Sequence, residues 1–150
     1  MNSYFASVEQ QANPFLRGKP ICVTGKRTER SVVAAASIEA KKRGVKTAMS
    51  TWEAKRICPE LILAQGDPEK YGEITERFNR IFLDYTDRVE RFSVDESYLD
   101  VTDTAQDYLG AIAMAQSIRI SLSEKCGEWI TASIGIGPNK LVAKLSSEQI

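Results

Sequence analysis

Asp95 and Glu96 are adjacent carboxylates in the run Arg91-Phe92-Ser93-Val94-Asp95-Glu96-Ser97-Tyr98-Leu99-Asp100, which otherwise has an apolar, strand-like pattern. In a straight strand, neighbouring side chains point to opposite faces, so the pair could not share one ligand. A hairpin removes that obstacle. With Val89–Ser93 and Ser97–Val101 as antiparallel arms, both carboxylates sit at the tip and can converge on a hard divalent cation such as Mg²⁺. For an arbitrary Asp-Glu pair a solvated turn is the commoner outcome, because turns favour acidic residues. Histidine is absent from the 150 residues, which excludes Ser-His-Asp triads, imidazole zinc sites and histidine bases and leaves carboxylates as the chemical groups. Cys22, Cys58 and Cys126 are odd in number and far apart, with no metal-type spacing, and read as reduced, mostly buried thiols.

Charge is balanced overall but unevenly distributed. Residues 17–56 carry eleven basic side chains against three acidic ones, a net +8, so the remainder is −8. A basic lobe on an acidic body suggests a surface facing a polyanion, with phosphate as the expected partner. No segment has the apolar length to span a membrane, and no basic-then-apolar leader opens the chain, so a cytoplasmic location without membrane partners is expected.

The elements that must position the acidic pair follow from periodicity and punctuation. Tyr4–Ala12 reads as a short helix closed by Asn13-Pro14, and Ile21–Thr24 as a strand. Val32–Ala36 is a second apolar run. Ser37 to Arg43 reads as a helix ended by Gly44, and Ser50-Thr51-Trp52-Glu53 is a capping box for another that stops before Pro59. Leu61–Ala64 follows as a strand. Asp67-Pro68 then caps a long helix with Tyr71, Ile74, Phe78, Ile81, Phe82 and Tyr85 on one stripe. A second long helix, roughly Tyr108–Lys125, is expected to bury Leu109, Ile112, Ala115, Ile118 and Leu122. Ile130–Ile136 alternates at period two and reads as a strand, and a last helix runs from Lys140. With 13–66 set aside as a basic insertion, the order is strand, helix, hairpin, helix, strand. That is the split βαβ order of a ferredoxin-like antiparallel sheet, whose first strand must precede residue 4 and lie beside the hairpin tip.

Ser-Val-Asp-Glu-Ser-Tyr-Leu-Asp at residues 93–100 resembles the palm hairpin motif of the Y-family (translesion, DinB/UmuC-like) DNA polymerases. Asn2–Gln10 resembles that family's N-terminal motif, and Asn13-Pro14 with Arg17-Gly18-Lys19-Pro20 resembles the entry to its fingers. Ser37–Ser50 and Ser133–Ser147 match as well, so the resemblance spans nearly the whole chain in the family's order. It implies an α+β fold: a ferredoxin-like palm with two long helices, from residues 1–12 and 67–150, and a small mixed α/β fingers insertion, 13–66. The thumb's completion and the little finger are absent from the chain.

The implied activity is template-directed DNA synthesis past damaged bases, a nucleotidyl transfer to a primer 3′-OH with two Mg²⁺ ions in the complete enzyme, Mn²⁺ being a possible substitute. The implied partners are primer-template DNA and a deoxynucleoside triphosphate, with any sliding clamp engaged through regions absent here. By resemblance Asp95 and Glu96 are catalytic metal ligands, with Glu96 closest to the 3′-OH metal. The family's next catalytic Asp falls immediately before the position of Met1, and its second acidic position is Asn2 here. The N-terminal half of the site would then supply only the Met1 backbone carbonyl, so weak metal binding and little or no turnover are expected. Phe5 matches the steric gate against a 2′-hydroxyl. Ser3, Tyr4 and Phe5 would offer backbone N–H groups to triphosphate oxygens at a helix start. Lys41 would meet a phosphate as a point charge, without the fork of the Arg common at that position. Val32, Ala34, Ala48 and Met49 match the floor under the templating base, and Lys140 and Lys144 a segment near primer and phosphate.

Two other readings fit parts of this pattern. A non-catalytic nucleic-acid or partner-binding module could keep the fold without the chemistry, as Asn2 suggests. A nucleotide cyclase also uses a ferredoxin-like palm with paired carboxylates, but the basic insertion and the gate motif argue against it.

Overall fold

The structure, a computed structural model, describes residues 1–149 and divides into two compact units: Met1–Asn2 with the residues from Gly72 onward, and Ser3–Tyr71. The boundaries expected from the motifs, 1–12 with 67–150 against 13–66, differ from this division because the helix α1 (Tyr4–Ala12) packs on the sheet of the second unit.

In the Ser3–Tyr71 unit, β1 (Ile21–Thr24) is buried at every position, as its unbroken apolar run requires of a central strand. It pairs antiparallel with β2 (Ala35–Ala36) and parallel with β3 (Ile62–Gln65), giving the order β2-β1-β3. Two capped helices cover this sheet's core. Ser37 Oγ accepts from Ala40 N at the start of α2 (Ile38–Lys42), and Ser50 Oγ from Glu53 N at the start of α3 (Thr51–Ile57). Gly44, at φ 93°, ends the first of these in a conformation that a side chain would strain. Cys22, Ala40, Ala54, Cys58 and Leu61 meet in the core, and burial pushes the Cys22 thiol up to about 11, so it stays protonated at neutral pH. All three cysteines are free and buried.

The first turn of α4 (Pro68–Phe82) belongs to that unit and the rest to the other. Its stripe is largely as read: Tyr71, Phe78, Ile81 and Phe82 are buried. The hairpin follows as β4 (Val89–Arg91) and β5 (Ser97–Leu99), in antiparallel register with Arg91 opposite Ser97. Asp107 caps α5 (Tyr108–Cys126), accepting from Gly110 N. Its buried side differs from the expected one. Ala111, Ile118, Leu122 and Cys126 are buried, whereas Leu109 and Ile112 are 76% and 40% exposed. The stripe that continues through Ile118 and Leu122 begins at Ala111, and both outliers lie well off it around the helix.

Residues 131–137 also differ from expectation, forming no named strand. Period-two alternation marks an extended segment, but a strand needs a ladder of paired amides. Here the neighbouring Met1–Asn2 segment meets it where Asn2 N donates to Thr131 O at 2.8 Å. The segment leads into α6 (Lys140–Ser147), capped by Asn139. A Cβ on Gly135 would lie 1.9 Å from Ala143 O, and one on Gly137 2.8 Å from Ala143 N. Glycine is required at both positions because the backbone of α6 lies directly on this segment.

Asn79 shows how the long helix fixes the hairpin. It is 1% exposed, donates from Nδ2 to Thr75 O and accepts from Ser97 Oγ at 2.8 Å. Replacing it with Ala leaves the Ser97 hydroxyl without that acceptor and opens a void, so Asn79→Ala should lower unfolding stability by about 2 kcal/mol. Chemical denaturation with the slope unchanged measures the loss.

Candidate functional site

The hairpin tip is held by one face of α4. Thr75 Oγ1 donates to Val94 O at 2.6 Å, Arg91 grips Glu76 through two N–H groups at 2.5 and 3.1 Å, and Asn79 takes Ser97. Three successive side-chain bonds from residues 75, 76 and 79 therefore fix both flanks of Asp95-Glu96. The ion pair lowers the Glu76 pKa and raises that of Arg91, chiefly through their mutual hydrogen bond. Within the tip, Phe92 N and Ser93 N both donate to Glu96 O, and Ser93 Oγ donates to Asp95 Oδ1 at 3.0 Å.

The start of the chain lies against this turn, as the topology required. Met1 N donates to Asp95 O at 2.7 Å. Met1, Asn2, Asp95, Glu96, Ser133 and Lys144 line one cavity of about 350 Å³, whose other walls include Phe78, Met114, Ile118 and Leu122. A mostly apolar cavity with a few convergent polar groups is the usual form of a ligand site. Asn2 does not point a free carbonyl into it: Oδ1 accepts from Ser133 Oγ at 2.8 Å while Nδ2 donates to Thr131 Oγ1 at 3.2 Å. Its amide thus fastens the N-terminal segment to residues 131–133.

The donors present suit a hard cation. Two carboxylates and one backbone carbonyl are oxygen ligands of the kind Mg²⁺ takes, with water and substrate phosphate completing its shell. Among the described residues no cluster of three or more His, Cys, Asp or Glu side chains could hold a metal by itself. Lys144 Nζ donates to Glu96 Oε1 and lies 3.4 Å from Glu148 Oε1 one turn along α6. The Glu96 bond is the main reason that its ammonium pKa is raised. Lys140, one turn earlier, pairs with Glu90 and stands 5.7 Å over the Tyr98 ring.

The remaining expected site residues lie in the Ser3–Tyr71 unit and are described there. Ser3 is the N-cap of α1, so the amides of Tyr4 and Phe5 belong to its first turn. The Phe5 ring stacks on Tyr71, centroids 4.4 Å apart and planes 17° from parallel. Tyr71 in turn donates from its hydroxyl to the buried Glu9 at 2.8 Å, and Lys70 Nζ sits 3.1 Å from the same carboxylate. Burial and the Glu9 bond push the Tyr71 phenol pKa far up, so it stays protonated and donating. This brace for Phe5 was not foreseen. Glu9 inside an otherwise apolar helix face was its one sequence signal.

Val32, Ala34 and Ala48 are exposed on adjoining stretches, joined where Val33 N donates to Met49 O and Ala48 N to Val33 O. Met49 is partly buried against the core, and Ala48 holds φ at 69°. The four expected floor residues are therefore neighbours. Lys41 is exposed on α2.

Comparison with known proteins agrees with this geometry. Residues 1–148 match the impB/mucB/samB family. The chain is 45% identical over 148 residues to DNA polymerase IV of Bacteroides fragilis, covering 99% of this chain and 40% of that protein. It is 44% identical to DNA polymerase IV of Bacillus velezensis, covering 99% of itself and 35% of the relative. Among solved structures, DinB from Sulfolobus solfataricus superimposes with a TM-score of 0.91 at 34% identity, over 98% of this chain and 43% of the other. An insertion ternary complex of Dbh DNA polymerase gives 0.90 at the same 34% identity, again over 98% of this chain and 43% of that one. The chain thus spans about two fifths of the length of these relatives, and the α+β fold read from its motif order is theirs. With the acidic hairpin, the glycine-docked helix and the N-terminal motif all falling inside the matched residues, the chain belongs to the impB/mucB/samB family of Y-family DNA polymerases.

Proposed function

We propose that this chain supplies the palm and fingers of a translesion DNA polymerase, which adds deoxynucleotides to a primer 3′-OH opposite damaged template bases. The observation that carries the reading is the convergence of Asp95, Glu96 and Met1 on one cavity, held there by α4. When bound, Mg²⁺ would activate the attacking oxygen and steady the leaving pyrophosphate. Asp95, Glu96 and the Met1 carbonyl are the groups that would hold it. The palm would comprise residues 1–12 and 67–150 and the fingers 13–66, with α1 serving the palm's motif even though it packs with the second unit's sheet.

The first-turn amides at Ser3, Tyr4 and Phe5 would receive triphosphate oxygens, and Phe5 would exclude a 2′-hydroxyl. Lys41 would add a point charge toward phosphate, and Lys140 would face the nucleic-acid backbone. The exposed small side chains of Val32, Ala34 and Ala48, with Met49, would leave room beneath a bulky template base. A cytoplasmic location suits this activity, and no described helix is long and apolar enough to cross a membrane.

One observation favours a second reading. Asn2, at the position where the motif it resembles would place an acid, is engaged by Thr131 and Ser133, which would suit a binding module that keeps the fold and not the chemistry. Single-nucleotide addition separates the two. A polypeptide carrying this chain with an Asp placed ahead of Met1 and with the downstream regions of its relatives should add the complementary deoxynucleotide to a primed template in Mg²⁺. Tight primer-template binding without addition of any of the four nucleotides would establish the module instead.

A further inference from the structure

We propose that Lys144 is a built-in counter-cation for Glu96, competing with divalent metal for that carboxylate and so setting the affinity of the acidic site. The inference rests on the metal-site reading above and adds a residue that acts against the metal rather than holding it. The motif resemblance puts Lys144 near primer and phosphate; here its ammonium bonds Glu96, and it is the less exposed of the two α6 lysines, 34% against 60% for Lys140.

The contact is built into the fold. Gly135 and Gly137 let the α6 backbone sit directly on residues 135–137, at a separation that no Cβ would permit. That docking aligns Lys140 and Lys144, one helical turn apart, with Glu90 on β4 and Glu96 at the hairpin tip. Glu148, a further turn along, gives Lys144 a second carboxylate to rest on when it leaves Glu96. The ammonium and a divalent cation carry the same sign and would share one carboxylate at the cavity wall, so each weakens the other's hold. A half-exposed pair is modest in strength, which makes the latch one that metal can displace.

Mn²⁺ binding to the intact chain, followed by electron paramagnetic resonance, tests this. Lys144→Gln should bind about two- to fivefold more tightly than the parent chain, the size expected for release of one partly exposed ion pair. Lys140→Gln makes the same charge change one turn away, with its partner Glu90 in place of Glu96, and should alter affinity less than twofold. Unchanged or weaker binding by Lys144→Gln, or an equal gain in Lys140→Gln, would overturn the inference. Asp95→Ala separates this from the reading beneath it. If Asp95→Ala loses Mn²⁺ while Lys144→Gln matches the parent, the acidic site stands and the latch falls. If Asp95→Ala binds as the parent does, or if no variant binds, both fall. A second readout follows the lysine directly: the Nζ proton resonance of Lys144, sheltered by its bond to Glu96, should broaden into solvent exchange as Mg²⁺ is added. Persistence of that signal at saturating metal also overturns the proposal.

Discussion

Asp95→Ala, introduced into a polypeptide that carries this chain with an Asp placed ahead of Met1 and with the downstream regions of its relatives, should lower single-nucleotide addition by about a thousandfold or more while leaving primer-template binding nearly intact. A metal ligand contributes several kcal/mol of charge stabilisation to the transition state, and about 4 kcal/mol corresponds to three powers of ten in rate. The substitution is selective because the Asp95 side chain does little for the fold. Its Oδ1 accepts only a local bond from Ser93, and the tip is held through Val94 O, Arg91 and Ser97, none of which the change removes. Its backbone oxygen, which takes the bond from Met1 N, is untouched. Pre-steady-state incorporation should therefore show the loss in the rate of addition, with the dissociation constant for DNA changed less than threefold. A fall in DNA affinity equal to the fall in rate would mean that Asp95 is structural, and the two-carboxylate site would have to be given up.

Much of that site was legible in the chain because it depends on local rules. An Asp-Glu pair between two strand-like arms can converge only at a turn, and the observed register, Arg91 opposite Ser97, puts it at the tip. The caps read at Ser50 and Asp67 likewise follow from short-range hydrogen bonding. What escaped the reading is tertiary. Nothing local distinguishes Asn79 from an exposed polar residue beside Phe78, yet it is among the most buried side chains and holds β5. Gly135 was read within a strand, because the reason for it and for Gly137 is a helix backbone arriving from eight and six residues further on. The 131–137 segment has strand alternation but forms no named strand, since pairing is decided by the neighbour and not by the sequence of the segment itself. Lys144 shows the same limit: its sequence position fixes it on a helix, and only the docking of that helix makes Glu96 its partner.

Phe5→Ala should raise the use of ribonucleotides relative to deoxynucleotides by roughly a hundredfold, the order by which steric fit in a pocket discriminates substrates differing by one small group. Discrimination by a ring demands that the ring stay put, and the structure supplies the means. Phe5 stacks against Tyr71, whose hydroxyl is tied to Glu9, a carboxylate held also by Lys70. Tyr71 remains a donor across the working pH range because burial and its acidic partner keep the phenol protonated. Truncation at Phe5 removes the wall and leaves this brace in place, so deoxynucleotide addition should fall only a few-fold while ribonucleotide addition rises. The ratio of kcat/KM for the two sugars, with the same base and template, reads the effect. If both sugars lose rate together and their ratio stays within twofold of the parent, Phe5 is a packing residue of α1 and no gate. Tyr71→Phe provides the graded control, since it keeps the stacked ring and deletes only the bond to Glu9. A gate whose position depends on that bond should relax discrimination partway, between the parent and Phe5→Ala.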